Sequence, residues 1–76
     1  MSDARPRKRS LTLDGHRTSV SLEDAFWVAF VDMAREEGLS VNALAARIDR
    51  ERGVSAGLAS AIRVAVLRRL QALADR

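Results

Sequence analysis

From Ser10 to Leu22 the chain alternates in character. Thr12 separates Leu11 from Leu13, and Thr18, Val20 and Leu22 interleave with Arg17, Ser19 and Ser21. A period of two puts alternate side chains on opposite faces of an extended strand. One face can then be buried while the other presents only donors and acceptors. Beyond Leu22 the period lengthens. Leu22, Phe26, Ala29, Phe30, Met33 and Ala34 recur at helical spacing, as do Val41, Leu44, Ala45 and Ile48, and then Leu58, Ala61, Ile62, Ala65, Val66, Leu70 and Leu73. This predicts helices over residues 22–37, 40–52 and 58–74, the third covering the core. Gly38 and Gly53 supply stops, Ser40 an N-cap, and Glu23 and Asp24 sit at the positive end of the first helix. The fold class is mainly α, with an N-terminal β element.

Two readings of that β element stay open. Asp14-Gly15 is a strong signal for a two-residue turn, and a hairpin around it sets Thr12 opposite Arg17, Leu11 opposite Thr18 and Ser10 opposite Ser19, so that the faces agree. Alternatively, residues 10–22 form one arm bent at Gly15, and residues 16–22 pair with the same strand of a second copy. A homodimer is expected on other grounds too. A chain of 76 residues without cysteine has few other sources of stability, and Trp27, Val28 and Val31 widen the apolar surface of the first helix beyond one stripe.

The net charge of +3 is unevenly placed. Arg5, Arg7, Lys8 and Arg9 against Asp3 leave +3 in residues 1–9, whereas residues 10–76 hold nine basic and nine acidic side chains. Residues 1–9 therefore read as a basic, disordered arm suited to a polyanion, followed by one domain over residues 10–76. Lacking an apolar run long enough to cross a bilayer or to serve as a signal-peptide core, the chain reads as soluble and cytoplasmic, with no membrane partner.

An enzyme finds no support in these residues. There is no cysteine, glycine-rich phosphate loop or supported nucleophile set, and His16 has no ligand cluster around it, so neither a metal nor a cofactor is expected. Duplex DNA fits better. The major groove admits a two-stranded ribbon, on which Arg17 can donate two bonds to guanine while Ser19 and Ser21 reach either donors or acceptors. Ser21 also opens Ser21-Leu22-Glu23-Asp24, a capping-box spacing, and its hydroxyl has that competing role. The backbone N–H groups of Val41 and Asn42, beside Ser40, form a phosphate clamp, and Arg5, Arg7, Lys8 and Arg9 add phosphate contacts.

Arg17-Thr18-Ser19-Val20-Ser21-Leu22, the helix end Glu36-Glu37-Gly38, and Gly38-Leu39-Ser40-Val41-Asn42 together resemble the ribbon-helix-helix family of Arc- and MetJ-type repressors. The likeness covers residues 16–52, and Gly15 to Glu23 with Ser60-Ala61-Ile62-Arg63 extends it toward a small bacterial subgroup with an additional C-terminal helix. It implies an intertwined homodimer whose paired strands enter the major groove, with Arg17, Ser19 and Ser21 at the bases and Ser40, Val41 and Asn42 at the phosphates. A sequence-specific transcriptional repressor is the expected function. The alternative is a dimeric protein-interaction module, such as an antitoxin-like subunit with a protein partner.

Overall fold

The computed structural model describes residues 4–53 and 56–75. Residues 1–3 of the expected arm and loop positions 54 and 55 lie outside them. The order is β1 (Arg7–Leu13), β2 (His16–Leu22), α1 (Asp24–Glu36), α2 (Val41–Glu51) and α3 (Leu58–Ala74). The strands form one antiparallel hairpin within the chain, in the register read from the sequence: Thr12 faces Arg17, Leu11 faces Thr18 and Ser10 faces Ser19. Asp14 and Gly15 have φ of 50° and 85°. Positive φ at both central positions twists the turn to match the strands, and Asp-Gly adopts that geometry at little cost.

Pairing begins at Arg7, inside the segment expected to be disordered. The alternation runs on through Arg7-Lys8-Arg9, and the hairpin gives those residues partners as far as Arg7 opposite Leu22. The inner face buries Leu11, Leu13, Val20 and Leu22 against Phe30, Met33 and Ala34 of α1, Leu44, Ala45 and Ile48 of α2, and Ile62 and Val66 of α3. Under the sheet, α2 lies against β1 and α3 against β2, and α3 packs on both other helices.

The α1–α2 connection closes as a tight cap. Gly38, at φ 69°, donates its N–H to Arg35 O, and Leu39 donates to Ala34 O at 2.9 Å. This left-handed helix ending satisfies carbonyls that the helix leaves unpaired and turns the chain into α2, where Ser40 Oγ accepts from Ala43 N at 3.0 Å. The third helix departs from expectation at its end. Ile62 and Val66 are buried, but Leu70 and Leu73 are exposed, since Arg69 already pairs with Glu36 at the last residue of α1 and the turns beyond have less to cover. Among the described residues, no helix is long and apolar enough to cross a membrane.

Candidate nucleic-acid interface

The hairpin sorts its side chains by parity. Leu11, Leu13, Val20 and Leu22 face the helices, so Arg7 and Arg9 share their side of the sheet while Lys8, Ser10 and Thr12 share the other with Arg17, Ser19 and Ser21. All six outward residues are exposed. They form two adjacent rows in which Lys8 sits beside Ser21, Ser10 beside Ser19 and Thr12 beside Arg17. No acidic residue stands among them.

Ion pairing elsewhere sharpens this face. Arg35, Arg47, Arg50, Arg52, Arg63 and Arg69 each pair with a carboxylate. Among the described residues, Lys8 and Arg17 make no such pair, and they stand at diagonal corners of the outward face. An unneutralised cation keeps its full attraction for a phosphate or a guanine edge.

Of the sequence-derived candidates, Arg17, Ser19 and Ser21 come together on one row. Ser21 is free of its competing role, because the residue before α1 is Glu23 and no side chain caps that helix. Ser40, Val41 and Asn42 sit at the start of α2, close to β1, where the Asn42 side chain accepts the Thr12 backbone N–H at 3.0 Å. The N–H groups of Val41 and Asn42 precede the helical ladder, whose first rung is Leu44 N to Ser40 O. Arg5 is exposed ahead of β1.

Arg7 and Arg9 stand apart from the other expected phosphate contacts. Both point to the helix side of the sheet and pair with Asp24, and the Arg9 guanidinium lies 5.4 Å from the centre of the Trp27 ring. With its side chain 19% exposed, Arg9 is a structural cation that closes the end of the core. Arg63 does similar work from α3. It donates to Glu23 Oε1 at 2.8 Å and to Ser21 O at 3.2 Å, and it lies over the Phe26 ring. The Glu23 carboxyl is held below its ordinary range, first by a hydrogen bond from its own backbone N–H and then by Arg63.

Sequence reasoning overlooked Ser10 and Thr12, and it counted Lys8 only as part of a tail. The parity of Leu11 and Leu13 was the signal that fixes where these side chains point.

Comparison with known proteins follows the same outline. The family model described as "Ribbon-helix-helix domain" matches residues 6–70. A solved structure of an uncharacterized protein from Bordetella pertussis Tohama I is similar at 36% identity with a TM-score of 0.81, over 95% of this chain. This chain spans 61% of that one. No curated protein matches.

Proposed function

Because this chain belongs to the ribbon-helix-helix domain family, whose domains are DNA-binding regulatory modules and not enzymes, we propose that it is a sequence-specific DNA-binding protein acting as a transcriptional repressor. The antiparallel ribbon lies in the major groove, with Arg17, Ser19 and Ser21 toward base edges. The observation that carries this reading is the outward face of the hairpin, which holds only hydroxyl and cationic side chains and whose two cations are not spent on internal ion pairs. At its border the N–H groups of Val41 and Asn42 and the Ser40 hydroxyl serve as phosphate contacts, and Lys8 and Arg5 add charge.

The working unit is a homodimer. The exposed apolar run Val64, Leu67, Leu70 and Leu73 on α3 supports self-association. Such a regulator acts on bacterial chromosomal DNA in the cytoplasm and needs no cofactor. The same run supports a second reading, a dimeric antitoxin-like module whose α3 binds a protein.

The test is recovery of fragmented genomic DNA of the source organism on the purified full chain at physiological salt. Recovery of promoter fragments whose transcripts rise when the gene is deleted supports the repressor. Recovery of no fragment above background, from folded protein, contradicts it.

A further inference from the structure

We infer that the groove between α2 and α3 is a contact between two copies of this chain, separate from the ribbon, and that it joins one homodimer to the next. The inference rests on the homodimer proposed above. Two unspent charges carry it. Among the described residues, every charged side chain of α1, α2 and α3 takes part in an ion pair except Glu51 and Arg68. Both are exposed, and both line the same groove, a hollow of about 310 Å³ shared with Ile48, Ala61, Val64 and Ala65.

Opposite charges on one groove that do not meet each other are what a self-complementary surface requires. A two-fold axis sets the patch against its own copy, so Glu51 of one chain meets Arg68 of the other and the reverse, and two ion pairs form at once. A partner of one sign would satisfy one of these side chains and repel the other. The place of Glu51 points the same way. It is the last residue of α2, where the negative end of the helix dipole disfavours a carboxylate, so the helix itself gives no reason for an acid there. Between the charges, Val64 is 45% exposed, while Ala61 and Ala65 leave room for the valine of an opposing helix. Covering that apolar surface adds the non-directional part of the contact.

The groove is independent of the surfaces that build the homodimer. No residue of β1 or β2 lines it, and neither do Leu67, Leu70 and Leu73. Strand pairing between two chains and association through the leucine run therefore leave it uncovered. A homodimer carries one such groove on each protomer, so the contact sets dimers in a row.

Sedimentation velocity of the full chain across a concentration series tests this, with Glu51→Arg, Arg68→Glu and the double reversal run in parallel. Wild type is expected to grow beyond the dimer as concentration rises, and less so at high salt. Each single reversal sets like charges against each other and weakens that growth by about tenfold or more. The double reversal restores it, and so does an equimolar mixture of the two single reversals, because each then meets its opposite. Thermal midpoints stay near wild type, since both positions are exposed. A wild type that remains a dimer at every concentration, or single reversals that assemble as wild type does, overturns the inference and leaves the homodimer standing. Folded wild type that sediments as a monomer throughout overturns both.

Discussion

Asn42 Oδ1 accepts the backbone N–H of Thr12 at 3.0 Å, joining the first turn of α2 to the free edge of β1 across 30 residues of sequence. The N–H belongs to an edge strand and would otherwise face solvent, so the bond adds little to stability and much to alignment. Asn42→Ala is expected to cost about 1 kcal/mol or less in a urea melt. It should also lower affinity for selected and unrelated duplexes to a similar degree, because the clamp and the ribbon lose their common register. A change in base preference alone would contradict this division of labour.

On the proposed reading, Arg17 makes the most specific contact of the β2 row. Arg17→Ala is expected to cost about 1–3 kcal/mol on the preferred site and to relax the preference at one position. Anisotropy titrations against single-base variants of the site measure both quantities. An unchanged preference removes Arg17 from the base-reading set.

Arg9 should behave in the opposite way. Its guanidinium is committed to Asp24 and Trp27, so Arg9→Ala is expected to destabilise the fold by about 1–2 kcal/mol through lost packing and pairing. Trp27 emission should shift. The slope of log K against log salt should stay unchanged under conditions where the variant is folded. A slope smaller by about one at unchanged stability would instead mark Arg9 as a phosphate contact.

The contrast between these arginines shows what the sequence made legible. The Asp14-Gly15 turn, the hairpin register, the Ser40 cap and the bounds of α3 follow from local chemistry, and each is present as read. In Arg7-Lys8-Arg9 charge conceals the period of two with which β1 begins, although Leu11 and Leu13 set its parity. Ser21 and Glu23 compete for the start of α1, and spacing alone does not decide between a cap and a strand that continues to Leu22. Leu70 and Leu73 lie at helical spacing with Ile62 and Val66. Periodicity records a face, not where the neighbouring helix ends.

Acid should weaken the contact between α3 and the start of α1. The Glu23 carboxyl titrates below its ordinary value of 4.5 in the folded chain, so its contribution is fully present above that value and is lost as pH falls through the lowered native one. The stability advantage of wild type over Glu23→Gln, from urea melts at stepped pH, is expected to be constant near neutrality and to shrink below about 4.5, where unfolded glutamate takes up its proton. An advantage that does not change with pH would exclude the Glu23–Arg63 pair as its source.

The α3 run tests the oligomer. Leu67 is 52% exposed and Leu70 47%, so replacing both with serine removes apolar surface without opening the core. The double variant is expected to keep the wild-type thermal midpoint at low concentration and to sediment as a monomer where wild type is a dimer. A dimer that persists would place the self-association surface elsewhere.

The most direct test of ribbon-based reading is a backbone-amide NMR titration of the full chain with its enriched duplex, compared with a scrambled duplex of equal length. The expected shifts that distinguish the two fall on residues 8–12, 17–21 and 40–42. Selective shifts confined to Val64 through Leu73, or none that separate the two duplexes, would show that this hairpin does not read DNA.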